Sequence, residues 1–308
     1  MIRFLKKILL FFVIITAVLS GMFYYFYTVG GNDLPAPAFS NSISFNEKID
    51  FIRDKDLSGI EYIAIGSSMT LNNIDSEVMV KHLGENYLNL GSWGFKISDS
   101  ERFLKEMIGF FPDLKAVFIS TTFVDFSAEV RNISVDYGLV KRSVKYNLGF
   151  LPYILSLDLR YMYSNSKTNT RRVLYQDSYD NLVYDEYGGA ILGIPEKKID
   201  PVRWNNNIAD FDVSEKELGH LKSLIGFLKN QNIETIIAVP PQREGLMDDQ
   251  NLALIKSEIE RIRKTTESSG GRFFSSFDYG IWPDSLFVDY CHLNKAGAEK
   301  YTGMIFGR

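Results

Sequence analysis

Five short apolar runs separated by longer amphipathic stretches constrain this chain more than any other feature. YIAIG at 62–66, YLNLG at 87–91, AVFIST at 116–121, TIIAVPP at 235–241 and RFFSSF at 272–277 have the length and residue types of strands. Around them, 74–83, 98–110, 214–229, 249–266 and 294 to about 305 read as helices. The clearest is 214–229: Ser214 followed by Glu217 is a capping-box pattern, and Leu218, Leu221, Leu224, Ile225 and Leu228 recur at helical spacing. Strands alternating with helices predict a parallel sheet covered on both faces, an α/β chain of three layers, α/β/α. In such sheets ligands sit beyond the carboxyl ends of the strands. The residues just past the first strand are therefore of interest, and they are Gly66, Ser67 and Ser68.

Ahead of this pattern, MIRFLKKILLFFVIITAVLSGMFYYFYTVGG places Arg3, Lys6 and Lys7 before an uncharged run from Ile8 to about Gly31. Spanning a bilayer takes roughly 20 apolar residues, so 1–31 reads as a retained transmembrane signal anchor. The positive charges hold the N-terminal end in the cytoplasm, which directs the rest of the chain outward, and FYYFY suits the outer interface. A cleaved signal peptide is the competing reading; the length of the run and the lack of a clean A-x-A site oppose it. Residues 32–56, opening with NDLPAPAFSNS, read as an extended linker because their prolines and small polar residues oppose helix formation. Residues 57–308 then form the main domain.

A net charge of -4 and a pI near 5.6 offer no basic surface for a phosphate backbone, so no nucleic-acid partner is expected. The single cysteine, Cys291, excludes an internal disulfide framework, and His82, His220 and His292 show no metal-ligand spacing. No metal and no dissociable cofactor are called for. Between about 127 and 212 the rhythm breaks and tyrosines crowd in: Tyr137, Tyr146, Tyr153, Tyr161, Tyr163, Tyr175, Tyr179, Tyr184 and Tyr187, then Trp204. This is an insertion or cap between the third and fourth strands. Its tyrosines either cover half-buried surface or offer aromatic faces to sugar rings.

IGSSMT alone says little, because serine is a favoured helix N-cap. SLFVDYCHLNKAGAEKYT near the C-terminus adds Asp289 and His292, three residues apart. At that spacing a carboxylate holds one ring nitrogen while the other faces a serine, the orienter, base and nucleophile of a hydrolytic triad.

With these residues the chain resembles the SGNH (GDSL-type) hydrolase superfamily. Its marks are a Gly-x-Ser turn after the first strand, a glycine after the second, Gly-x-Asn-Asp after the third and Asp-x-x-His near the C-terminus. The likeness covers about 61–125 and 235–308. It implies a flavodoxin-like parallel sheet, Ser68 as nucleophile, Asp289 and His292 completing the triad, and an oxyanion hole from the N–H groups of Ser68 and Gly94. GSS in place of GDS, the anchor and the HLNKAGAEKYT ending resemble most the membrane-anchored members that accompany acylation of cell-surface polysaccharide or teichoic acid. That resemblance implies an outward-facing serine esterase or O-acyltransferase, periplasmic or on the outer surface. Its partners would be an acylated glycan and a membrane-bound protein that delivers the acyl donor.

One position departs from the pattern. In AVFISTTFVDF the family's asparagine is Val124, followed by Asp125. Losing a side-chain oxyanion donor costs on the order of a hundredfold in rate. Either Thr121 or Thr122 would have to supply a hydroxyl, with Thr122 the stronger candidate, or the domain is degenerate and binds glycan or scaffolds an acylation complex. Asp125 and Arg243, the latter in the loop VPPQRE, are candidate substrate-binding residues. GSSMT also nearly fits the G-x-S-x-G elbow of α/β-hydrolases, but Thr70 stands where the second glycine belongs.

Overall fold

The computed structural model describes residues 1–127, 132–206 and 213–307. Five parallel strands, β1 (Tyr62–Ala64), β2 (Tyr87–Asn89), β3 (Ala116–Ser120), β4 (Glu234–Val239) and β5 (Arg272–Ser275), form one sheet in the order β2-β1-β3-β4-β5. This is the doubly wound, flavodoxin-like order. All five strands expected from the sequence are present.

Strand side chains alternate between two apolar layers, as the two-residue period of a strand requires. Ile63, Leu88, Val117, Ile119, Ile237, Val239 and Phe273 point into one layer; Ala64, Tyr87, Ala116, Phe118, Ile236, Ala238 and Phe274 point into the other. The first layer is closed by α2 (Ile43–Ile52), α5 (Ile97–Met107), α10 (Glu215–Lys229) and α11 (Asp249–Ser269). The second is closed by α4 (Ser76–Leu83) and α12 (Lys295–Phe306) through Met79, Ala298, Tyr301 and Ile305. The sheet is therefore covered on both faces and its strands read as nearly continuous apolar runs, which is why they stand out in the sequence. The Ser214 cap forms as its pattern predicts, with Oγ accepting from the Glu217 N–H.

Two domain assignments need correction. Residues 32–56 are not a tether: α2 lies within them, and Phe45, Ile49 and Ile52 are buried in the first layer. Removing such a side chain typically costs about 2–5 kcal/mol, the mark of a core element. The prolines at 35 and 37 end before Ser42, which caps α2 by accepting from the Phe45 N–H, so they precede the helix and do not oppose it. Lys48 on this helix is buried, stacks over the Tyr184 ring at 3.9 Å and donates to the carbonyls of Asn89 and Gly188. Burial pushes its pKa down to about 7.

Residues 127–212 fall between β3 and β4, as expected of an insertion, but their described part packs into the core and does not stand apart as a cap. The helix α6 (Tyr137–Tyr146) puts Tyr137, Leu139 and Val140 into the first layer, and Leu182 and Ala190 pack on Leu71. The far boundary at 212 lies outside the described residues. Three of the tyrosines act as fasteners: the hydroxyls of Tyr161, Tyr179 and Tyr184 donate to the carbonyls of Ala36, Val288 and Ser44. Buried phenols gain most from such partners, and the reading in which they cover half-buried surface is the one these contacts support.

The apolar N-terminal helix α1 (Ile2–Val29) is long and apolar enough to cross a membrane, with a mean hydropathy of 2.3 and almost no burial. A signal sequence passes the same test. Among the described residues its last turns pack on the rest of the chain, chiefly through Phe23 and Phe26.

Candidate active site

The chain leaves β1 through a turn that only glycine fits. Gly66 has φ +146, and a Cβ there would lie 2.6 Å from Thr70 Oγ1 and 3.3 Å from the Ser120 carbonyl. The Thr70 hydroxyl lies 2.9 Å from the Ser120 carbonyl, to which it donates, and accepts from the Ser120 N–H, tying this turn to the end of β3. The two serines that follow divide their work. Ser67 is the N-cap, its Oγ accepting from the Met69 N–H at 3.1 Å. Ser68 is the first residue of α3 (Ser68–Asn73), half-buried, and its hydroxyl is free for another partner.

That partner is His292. Nε2 lies 2.9 Å from Ser68 Oγ, and Nδ1 lies 2.8 Å from Asp289 Oδ2. Asp289 is fully buried, and its second oxygen accepts the backbone N–H groups of Cys291 (2.9 Å) and His292 (2.7 Å). Burial by itself would raise its pKa. The charge of His292 and these three hydrogen bonds outweigh that and hold the carboxyl below its ordinary value. An ionised Asp289 accepting from Nδ1–H leaves Nε2 as the acceptor for Ser68 Oγ–H. A proton can then pass from serine to imidazole, the arrangement needed to turn a hydroxyl into a nucleophile.

The histidine loop is held on α3 by a residue that sequence reasoning missed. Asn73 Nδ2 donates to the Cys291 carbonyl at 3.1 Å, and its Oδ1 accepts from the Leu293 N–H at 2.9 Å. The two hydrogen bonds bracket His292 and fix its backbone against the helix that starts at Ser68. In LNNI at 71–74 nothing marks this asparagine, because its partners lie more than 200 positions away.

The corner after β3 differs from expectation. Asp125 is buried, and its Oδ2 accepts from the Thr121 hydroxyl (3.0 Å) and the Thr122 N–H (3.1 Å). Burial pushes its pKa up to about 6, against the lowering effect of hydrogen bonds from Ser67, Thr122 and Thr121 and of the charge of His292. Buried and bonded both to its own loop and to Ser67 in the turn after β1, it is a brace and not a substrate ligand. Thr122 caps the short 3-10 turn Phe123–Phe126, its Oγ1 accepting from the Val124 N–H at 3.4 Å, so its oxygen is turned toward that turn. That bond uses a lone pair of the oxygen and leaves the Thr122 O–H as a donor.

Two backbone donors remain. Gly94, at φ +67, is exposed with open space around it, and Ser68 stands at the mouth of α3, where the first N–H groups have no intrahelical partner. Among the described residues no group accepts from either N–H.

Arg243 is corrected too. It is buried: Nη1 donates to Asp284 (2.9 Å), Nη2 donates to the Trp204 carbonyl (2.8 Å), and the guanidinium stacks on the Trp204 ring at 3.9 Å. It anchors a loop and does not face solvent. Cys291 is buried, and burial raises its thiol pKa well above the ordinary value, so it is no competing nucleophile. The ligand atoms of Asp289, Cys291 and His292 lie within 4.8 Å of one another, but the Nδ1 they share is committed to Asp289. Of the other histidines, His220 pairs with Glu101 at 2.5 Å and His82 stacks on Phe306.

No protein-family model matches this chain. No curated protein matches it either. Solved structures that overlap with it include three hydrolytic proteins. One is a catalytic mutant of an acetylxylan esterase from Geobacillus stearothermophilus, 15% identical over 81% of this chain and 93% of the other, with a TM-score of 0.40. Another is an α/β hydrolase enzyme from the metagenome of Lake Arreo, Spain, 12% identical over 81% and 94%, TM-score 0.43. The psychrotrophic esterase EstA from a Pseudoalteromonas species is 11% identical over 80% and 92%, TM-score 0.35. The assignment of fold and site stands on the chain's own geometry: the strand order, the serine at the carboxyl end of β1, and the Asp-x-x-His pair before the last helix are what the SGNH resemblance implied.

Proposed function

We propose that the chain is a membrane-anchored, outward-facing serine esterase or O-acyltransferase that acts on acyl groups, acetyl first among them, of cell-envelope polysaccharide. The observation that carries the chemistry is the continuous Ser68–His292–Asp289 hydrogen-bond chain at 2.9 and 2.8 Å. In this reading Nε2 takes the Ser68 proton as Oγ attacks the ester carbonyl. The N–H groups of Ser68 and Gly94 hold the oxyanion, and Asp289 steadies the imidazolium. His292 then protonates the leaving sugar oxygen. The acyl-Ser68 formed passes its acyl group to water, which makes the protein an esterase, or to a sugar hydroxyl, which makes it a transferase.

The envelope setting rests on α1 and on the charges that precede it, which favour an outward domain. Transfer would require a membrane-bound partner that supplies the acyl donor. The alternative, a degenerate glycan-binding domain motivated by Val124, would be supported by a Ser68 cut off from His292, and the 2.9 Å contact argues against it.

The test is acetate release from an acetylated polysaccharide by the full chain in detergent or native membranes. Release that is lost in Ser68→Ala supports the reading. No release, and no transfer to added glycan, by a folded chain in native membranes contradicts it.

A further inference from the structure

A patch of exposed apolar residues lies where α1 joins the domain. The helix α7 (Leu151–Ser156) and its flanks present Phe150, Leu151, Ile154, Leu155, Leu157 and Leu159, each between 41% and 55% exposed. Single exposed leucines are ordinary. Six large apolar side chains within ten positions are not, and such a patch marks a contact surface.

Its position identifies what it contacts. Phe150 packs edge-on against Phe23 of α1 at a centroid distance of 4.8 Å, Tyr153 reaches the same ring at 6.2 Å, and Phe26 packs with Met162 of α8 (Leu159–Leu174). Along α1, Phe23 follows Lys7 by 16 residues. At 1.5 Å per residue that is about 24 Å, inside a hydrocarbon layer of about 30 Å counted from Lys7. Phe150 and the α7 face beside it therefore sit at the far boundary of that layer, level with Tyr24, Tyr25 and Tyr27, which are themselves exposed.

The segment that carries the patch is rich in cations. From Lys141 to Tyr175 there are seven basic residues, Lys141, Arg142, Lys145, Arg160, Lys167, Arg171 and Arg172, against one acid, Asp158, although Lys141 is paired with Glu106, and Asp33, Glu47 and Asp50 of other elements lie near Tyr153. Apolar side chains set among cations are how an interfacial helix binds a bilayer with anionic headgroups.

We infer that α7 and its flanks form a second membrane contact, immersed in the outer interface beside α1, so that the domain lies against the bilayer and does not swing on a tether. This rests on α1 spanning the membrane. It accords with the absence of a linker: α2 begins 13 residues after α1 ends and is buried in the core.

The test uses the full chain with Leu155→Cys or, separately, Val13→Cys. Each is labelled with an environment-sensitive fluorophore and reconstituted in nanodiscs of phosphatidylcholine and phosphatidylglycerol. The parent chain, whose Cys291 is buried, is the labelling blank. Lipids carrying a spin label at shallow or deep positions serve as quenchers. The expected result is quenching at both sites, stronger with the shallow label at 155 and with the deep label at 13. Quenching at 13 with none at 155 overturns the inference and leaves the anchor standing. Emission at 155 that is blue-shifted but unquenched means that a second copy covers the patch, which also overturns it. Quenching at neither site removes the anchor itself and the inference with it.

Discussion

The two loops that meet Ser68 at the carboxyl edge of the sheet are built differently. The loop from Asp289 to His292 is built to aim one imidazole: Asp289 accepts three hydrogen bonds, and Asn73 clasps the loop from α3. The loop after β3 braces itself and the turn after β1, with Asp125 and Thr122 closing a capping box around the short turn that follows and Asp125 also accepting from Ser67. In the proposed mechanism the first corner activates the serine. The second presents Val124 where the SGNH resemblance implied an asparagine, and so lacks that amide donor. On this reading serine activation is the stronger half of the site, and the oxyanion leans chiefly on backbone N–H groups. An enzyme of this kind should form acyl-serine readily from activated esters and slowly from poor ones.

The largest effect that would break this comparison lies on the histidine side. Asp289→Asn should keep the fold's contacts but favour the wrong imidazole tautomer, lowering the rate of serine acylation on the order of 10⁴-fold. Stopped assays with an activated acetyl ester would read it, and a loss of less than tenfold would mean that Asp289 does not orient His292.

On the other side, Asp125 should show itself in stability. Its folded pKa of about 6 exceeds the 3.8 of the free carboxyl, so between these values the folded form holds a proton that the unfolded chain has released. Stability therefore falls as pH rises through that window, by on the order of 3 kcal/mol. Asp125→Asn should remove this slope. The difference in melting temperature between variant and wild type should widen in the variant's favour from pH 4 to 6 and level off above. A constant difference across that range would show that Asp125 is not held neutral.

The smallest of these effects sharpens the comparison. Val124→Asn restores the missing donor type and should raise kcat toward unactivated esters by up to about a hundredfold, with little change for activated ones. Unchanged rates for both would mean that the backbone donors already suffice.

Much of this could be read in the residues, for a physical reason. A strand buried on both faces must be apolar throughout, so all five announced themselves, and the triad members carry chemistry that core residues do not need. What stayed hidden was decided by tertiary partners. α2 was masked by the prolines at 35 and 37 although Ile43, Phe45, Ile49 and Ile52 follow at helical spacing. Arg243 looked like a surface cation because Trp204 and Asp284, which bury it, are about 40 residues distant on either side. Thr122 and Asp125 looked available because the turn their capping box closes, Phe123–Phe126, is too short to show a helical period. Asn73 had no signal at all.

The central claim is an activated serine, and labelling the full chain with a fluorophosphonate probe, with the adduct mapped by mass spectrometry, tests it most directly. A single adduct on Ser68 that disappears in His292→Ala is the result this account predicts. A folded chain that gives no adduct, or one whose adduct on Ser68 persists without His292, would contradict it.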